Sequence, residues 1–268
     1  MADEVDVPPI VLHIPHASRD IPPDVRGSFV VDDDQLELNL LRMTDHFTDE
    51  LFLVPSDVAT SVVYPVSRLV CDPERFLDDS EEPMAALGMG VIYSRRHDLG
   101  PLRDPPSPSE RETLLDDFYR PHHRALEEAV DASLAAHGRC LVIDCHSFPG
   151  TPLPYEPDQD IRPDICIGTD KFHTPPALRA AAVAAFETTG LEVEVDRPFA
   201  GALVPTSRYK KDRSVTAVMI EVNRRLYMDE GTGSRGASFL DIKTLLERVI
   251  ASDLPNASRT DLRPSDFR

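Results

Sequence analysis

Positive charge is scarce in this sequence. Its 268 residues carry 28 Lys and Arg against 47 Asp and Glu, for a formal net charge of −19. Such a chain has no broad basic face with which to displace counterions from a nucleic-acid backbone. Anionic lipid repels it as well. Nucleic acid and membrane surfaces are thereby excluded as partners, and nothing in the sequence reports the oligomeric state. Long apolar runs are also missing, since none approaches the roughly 18–20 residues of a transmembrane helix. The opening MADEVDVPPI is acidic and poor in apolar residues, unlike a secretory signal. Four cysteines (Cys71, Cys140, Cys145 and Cys166) stand singly, without CxxC spacing. They read as reduced thiols of a cytoplasmic protein, not as a disulfide framework.

Several catalytic signatures are absent. The sequence has no GxGxxG, Walker A, GxSxG or HExxH motif. Ser147 has no evident base, and no cysteine sits in a nucleophile signature.

What the sequence does have is a full complement of apolar residues, 41% by count, in strand-sized and helix-sized runs. This argues against disorder. The length suits one catalytic α/β domain over residues 1–268, with a loosely held polar tail from about Pro255. Strands are expected at Pro9–Ile14, Ser61–Tyr64, Leu69–Cys71, Gly90–Tyr93, Cys140–Asp144, Asp164–Gly168, Leu191–Val195 and Ser214–Glu221. A helix is predicted over Asp34–Val54 from Leu36, Leu40, Met43, Phe47 and Leu51 at spacings of three and four. Others are expected at Ser109–Ala136, with Ser109 and Glu112 as a capping box and Pro121 kinking it or splitting it in two, at Pro176–Thr189 and at Ala237–Ala251. The Pro-rich Gly100–Ser109 reads as a loop or lid, and Pro149–Pro163 as a second loop. Strands alternating with helices predict a mostly parallel sheet covered on both faces, with ligands beyond the carboxyl ends of the strands.

The three strongest strands all end in ionisable residues. One ends at His13 and His16, one at Asp144 and His146, and one at Glu221 followed by Arg224 and Arg225. If they are parallel neighbours, these groups converge on one rim. The chemistry that fits is a mononuclear metal hydrolase. A catalytic zinc takes three ligands from His and Asp or Glu, and a nearby Glu can accept a proton from its water. His16 and His146 supply two ligands. The third is open between Asp45, which falls beside Leu38, Leu41 and Phe52 on the predicted helix, and His46, nearer the polar face with Arg42 and Asp49. A surface position is the plainer reading of His46. His13 lies three residues from His16 in extended chain, so the two face opposite sides, and His13 is expected to pack in or beneath the sheet. Arg68, Arg75, Arg224 and Arg225 near the same rim suit recognition of a substrate carboxylate.

Seven segments resemble the N-formylglutamate amidohydrolase family, a relative of zinc carboxypeptidases and acylamino-acid deacylases. They are His13–Ser18 (HIPHAS), Thr44–Leu51 (TDHFTDEL), Ser67–Phe76 (SRLVCDPERF), Tyr119–His123 (YRPHH), Asp144–Pro149 (DCHSFP), Pro198–Gly201 (PFAG) and Ile220–Met228 (IEVNRRLYM). They follow the family's order from about residue 10 to about residue 230. The resemblance implies a three-layer αβα sandwich with a mixed, mostly parallel sheet, as in phosphorylase/hydrolase-like folds. It implies one divalent metal ion, zinc, held by His16, Asp45 and His146, with Glu221 as general base. Asp144 would orient His146, and Arg68, Arg75 and Arg224 would hold substrate carboxylates. His123 and Tyr227 match the family pattern without an assigned role. Where some members have Asn-Arg after the Asp, this chain has Pro73-Glu74-Arg75; a Glu74 facing the pocket would disfavour a dianionic substrate. The expected activity is hydrolysis of the amide of a small anionic N-acyl amino acid such as N-formylglutamate. The competing readings are a carboxypeptidase-like zinc peptidase and a non-catalytic carboxylate- or metal-binding protein.

Overall fold

A computed structural model describes residues 9–156 and 162–255. The expected loose tail beyond Pro255, the MADEVDVP segment and part of the Pro149–Pro163 loop lie outside the described residues.

The chain forms a six-stranded sheet in the order β2-β1-β3-β6-β4-β5. The strands are β1 (Ile10–Ile14), β2 (Thr60–Val63), β3 (Cys140–Phe148), β4 (Ile165–Gly168), β5 (Val193–Val195) and β6 (Val215–Asn223). Every pairing is parallel except β4 with β6. The mixed, mostly parallel sheet of an α/β protein is therefore present. The three strands with the strongest apolar runs, β1, β3 and β6, are adjacent at its centre.

Alternation along these strands sorts the core into two faces. Leu141, Ile143 and Cys145 join a cluster with Leu178 and Phe186 of helix α6 (Pro176–Glu187) and Leu246 of α7 (Phe239–Arg248). Cys140 and Val142 instead meet Leu126 and Val130 of α5 (Arg120–His137), with Val11, Val215 and Ala217 beside them. Each fully buried aliphatic side chain contributes about 1.5–3 kcal/mol of transfer free energy, so register is strongly specified. The same alternation places His13, Asp144, His146 and Glu221 on the α5 side. His13 is level with Asp144, and His146 is level with Glu221. The sheet delivers these four groups to one rim.

The helix expected over Asp34–Val54 is broken. After the short α1 (Pro23–Arg26), α2 runs only from Asp33 to Met43, capped at Asp32 with Gln35 closing a capping box, and α3 runs from Thr48 to Leu51. Thr44 is extended, and Phe47 is left-handed at φ 64°. The apolar stripe continues through the break, which is why periodicity alone reads it as one helix. Leu38 is exposed, so no second apolar side buries Asp45; the break does.

Other expectations shift. Leu69–Cys71 is a turn and Gly90–Tyr93 is irregular, although Leu69, Cys71, Val91 and Tyr93 are buried. They fill a second core with Leu36, Leu40 and Met43 of α2. Helix α4 (Pro108–Leu114) starts one residue earlier than expected, and its capping box sits two residues earlier, at Ser107 and Glu110. Ahead of Pro121 a π-helical turn over Leu115–Tyr119 separates α4 from α5, and the proline falls in the first turn of α5. The Gly100–Ser109 segment pairs Arg103 with Phe29. A small hairpin, β7 (Met228–Asp229) and β8 (Ser234–Arg235), follows β6.

Candidate active site

A cavity of about 350 Å³ opens at the carboxyl ends of β3 and β6. His16, Asp45, His146 and Glu221 line it, together with Arg42, Arg68, Arg75 and Arg224. No residue of the described Gly100–Ser109 segment does so, and the lid expected there is not over the site. Leu153, Tyr155, Pro198 and Phe199 line it instead.

Ligand-type atoms of His16, Asp45 and His146 lie within 4.8 Å of one another, and all three residues are buried. Asp45 reaches this point because the chain turns after α2. Its N–H donates to the His16 carbonyl at 3.0 Å. Its Oδ2 lies 3.1 Å from His146 Nδ1 and 3.6 Å from His16 Nδ1, and accepts the Ser147 N–H at 3.2 Å. Its Oδ1 accepts from Arg224 Nη2 at 3.0 Å. Burial opposes ionisation, but His146, His16 and the Arg224 charge hold the Asp45 carboxyl well below its usual range. Burial likewise opposes charge on His146, yet Asp144 and Asp45 hold its imidazole well above the ordinary value.

Each histidine has a second carboxylate behind it. Asp144 Oδ1 lies 3.0 Å from His146 Nε2, and Asp72 Oδ1 lies 2.9 Å from His16 Nε2. Both Nδ1 atoms are thus turned toward Asp45. His16 Nδ1 is buried without a hydrogen-bond partner. Two imidazole nitrogens and a carboxylate oxygen, backed by carboxylates on the far ring nitrogens, form a donor set suited to zinc. The residues present fit a divalent metal.

Glu221 stands beside this group, its Oε2 buried and unpartnered. Burial pushes its carboxyl up to about 8; His146 opposes the shift and the Asp45 charge adds to it.

The arginines divide by how many donors they have left. Arg224 spends four on Ser147 Oγ, the Arg42 and Ser147 carbonyls and Asp45. Arg68 forks onto Asp72 Oδ2 with Nε and Nη2, at 3.1 and 2.9 Å, while its Nη1 stands 4.0 Å from Asp45. Arg75 sends Nη2 to the Tyr93 hydroxyl at 3.5 Å, and its buried Nε, without a hydrogen bond, lies 3.7 Å from Asp72 Oδ2. Arg225 turns away to Asp164.

Several residues lie where the sequence did not lead. His46 is buried, not solvated, and its Nε2 lies 3.0 Å from the Leu41 carbonyl, outside the metal-type group. Tyr227 is off the cavity and donates to the His46 carbonyl at 2.8 Å, tying down the Asp45 turn. His123 Nε2 donates to the Pro73 carbonyl at 2.9 Å, and its ring stacks on Tyr119. His13 is fully buried between Asp144 at 2.9 Å, Glu74 at 3.0 Å and His122 at 2.8 Å. Glu74 lines the cavity, but against His13. Asp72 was legible only as a motif letter. Arg42 read as surface, and no periodic signal places it in the cavity.

Comparisons with known proteins bear on the whole arrangement. The family model for N-formylglutamate amidohydrolase matches residues 8–228. The chain belongs to the N-formylglutamate amidohydrolase family. Among relatives, it is 28% identical over 229 residues to an N-formylglutamate deformylase of Pseudomonas putida, covering 83% of this chain and 82% of the relative. A deformylase of the same description from Pseudomonas aeruginosa is 28% identical over 231 residues, covering 83% of each. A crystal structure of N-formylglutamate amidohydrolase from Ralstonia eutropha JMP134 superposes with a TM-score of 0.80 at 24% identity, covering 95% of this chain and 94% of that one. A structure of an Agrobacterium tumefaciens gene product superposes with a TM-score of 0.64 at 21% identity, covering 91% of each chain. These two likenesses bear on the fold of this family member. Its membership brings hydrolytic activity with it. No helix among the described residues is long and apolar enough to cross a membrane.

Proposed function

We propose that this family member is a metal-dependent amidohydrolase acting on a small anionic N-acyl amino acid, with N-formylglutamate as the reference substrate. The observation that carries the reading is the convergence of His16 Nδ1, Asp45 and His146 Nδ1 beside the unpartnered Glu221 carboxyl. His16, Asp45 and His146 would hold the ion, and zinc suits this donor set. When bound, the metal supplies Lewis-acid polarisation of an acyl carbonyl and acidifies a water.

The chain's own residues do the rest. Glu221 accepts the attacking water's proton and returns it to the departing amine, a role suited to a buried carboxyl raised toward neutrality. Arg68 and Arg75 line the cavity and hold the substrate carboxylate. Arg42 is a third guanidinium on that wall. Arg224, its donors engaged by Asp45 and Ser147, positions Asp45, in contrast to the substrate contact expected from the sequence. Asp144 and Asp72 hold the two imidazoles in orientation. The four cysteines are buried free thiols, which supports a reducing, cytoplasmic setting.

A cavity of about 350 Å³ suits a small ligand. The test is formate release from N-formylglutamate by the isolated protein, with metal analysis before and after chelation. Loss of turnover on chelation and recovery with zinc is expected. A metal-free protein with an undiminished rate would overturn the proposal.

A further inference from the structure

A second cavity, of about 310 Å³, adjoins the first. Glu74, Arg75, Ala200 and Met219 line both. Its chemistry differs from that of its neighbour. The first cavity gathers four arginines around the metal-type group. Among the described residues, the second has Arg75 as its only arginine or lysine, and three carboxylates, Glu74, Asp144 and Asp170.

The three carboxylates each have a partner within the protein, and Arg75 is shared with the first cavity. Asp144 accepts from His13, His146 and the Leu203 N–H. Asp170 accepts from the Phe172 and His173 N–H groups. Glu74 lies 3.0 Å from His13, and His123 donates to the Pro73 carbonyl.

Most of the remaining wall is apolar. Tyr119, Leu203, Val204, Tyr209 and Met219 contribute to it. Phe76 lies there as well and is 51% exposed, an aromatic ring left without cover. The strap from Ala200 to Val204 lines this cavity throughout. Gly201 in that strap has φ +104°, and a Cβ built on it meets nothing within 4 Å. Small residues leave the space open where the strap meets the first cavity.

We propose that this second cavity is a substrate subsite for an uncharged, largely apolar substituent. Resting on the function proposed above, the enzyme then takes N-acyl amino acids bulkier and less charged than N-formylglutamate. The substrate carboxylate stays with the arginines of the first cavity, and the apolar substituent extends past Ala200 into the second. A side-chain carboxylate placed there would meet Asp170, and Arg75, the one cation among the described residues of this wall, is already taken by the substrate carboxylate of the first cavity. This substituent is either the acyl group or the amino-acid side chain, and the two sources are separable by experiment.

The zinc-loaded full chain is assayed on two series. One is N-formyl glutamate, alanine, leucine and phenylalanine. The other is formyl, acetyl, butyryl and benzoyl alanine. In one series kcat/KM should rise by about tenfold or more with apolar size, the scale set by filling an apolar pocket. The rising series identifies the substituent. Thr206 is exposed at this cavity's edge, so Thr206→Trp fills it with little risk to the fold. It should lower kcat/KM for the bulkiest member of that series more than for N-formylalanine. Ala202→Phe, on the strap, should act in the same direction. Turnover that falls with size in both series, or a ranking unmoved by both variants, overturns the subsite. In that event hydrolysis of N-formylglutamate still upholds the proposed function. A failure to hydrolyse any compound in either series removes both.

Discussion

His16 Nε2 donates to Asp72 Oδ1 at 2.9 Å, and this bond decides which ring nitrogen faces Asp45. An ionised carboxylate only accepts, so the proton must sit on Nε2 and the Nδ1 lone pair is left toward Asp45. Asp72 is fully buried, and burial opposes its charge. The charges of Arg68 and Arg75 and the hydrogen bond from His16 still hold it well below the usual carboxylate range. Tyr93 adds a hydrogen bond at 2.5 Å, and the Glu74 N–H another at 2.9 Å. One carboxylate therefore couples the metal-type group to the arginines that face the substrate.

Asp72→Asn tests that coupling. The amide retains the size of the carboxylate but not its charge, and the preference for protonation at His16 Nε2 weakens. Zinc affinity should fall by about 10- to 100-fold, the cost typical of losing such a partner. Competition against a chromophoric chelator measures it. Unchanged zinc affinity would remove Asp72 from the ligand-orienting role.

Glu221→Gln separates binding from proton transfer. The amide cannot accept the water's proton, while His16, Asp45 and His146 are untouched. Zinc content should stay near that of the parent, and turnover should drop by about 10²- to 10⁴-fold. Full activity in this variant would exclude Glu221 as the base.

Arg224 distinguishes a positioning role from substrate binding. It is the close cationic partner of Asp45 Oδ1 and is itself buried. Arg224→Met leaves that carboxylate without its neutralising charge, a loss of about 3–5 kcal/mol for a broken buried pair. Urea unfolding of the metal-free protein checks it. Arg224→Lys keeps the charge but loses the fork and should recover part of the stability. A raised KM with parental stability would instead return Arg224 to the substrate.

How far the sequence reached follows from what holds each element. Strands β1, β3 and β6 are held by their own apolar runs, so their ends at His13, His146 and Glu221 were legible. The turn carrying Asp45 is held by groups distant in sequence: the His16 carbonyl, the Tyr227 hydroxyl and Arg224. Local periodicity, from Leu36 through Leu51, runs straight across it and conceals it. Segments such as Leu69–Cys71 show the same limit, because burial alone does not make a strand. There the backbone turns so that Asp72 can meet His16. Asp144, two residues before His146, was legible by strand alternation. Arg42 was not, because its approach to the cavity depends on where α2 stops.

His13 allows a test by pH. Burial alone would lower its pKa, but Asp144 and Glu74 overcome it and raise the imidazole from 6.5 to about 9. A raised value means that the folded state holds a proton the unfolded state has lost. Its stabilising contribution is complete below pH 6.5 and is lost as pH rises through 9. The full contribution is on the order of 3 kcal/mol. His122, depressed to about 2 chiefly by burial, acts on the acid side of 6.5 and leaves this window alone. Glu221, raised to about 8, titrates in both parent and variant. His146, also raised well above 6.5, shares Asp144 with His13, so the difference between the two proteins reports His13 together with its coupling to His146. Urea unfolding at pH 6, 7.5 and 9 should show the parent losing more stability with rising pH than His13→Asn does. Parallel pH profiles for the two proteins would mean that His13 is neutral in the fold. Glu74 would then stand in the cavity as an unneutralised charge, and the objection to a dianionic substrate would return.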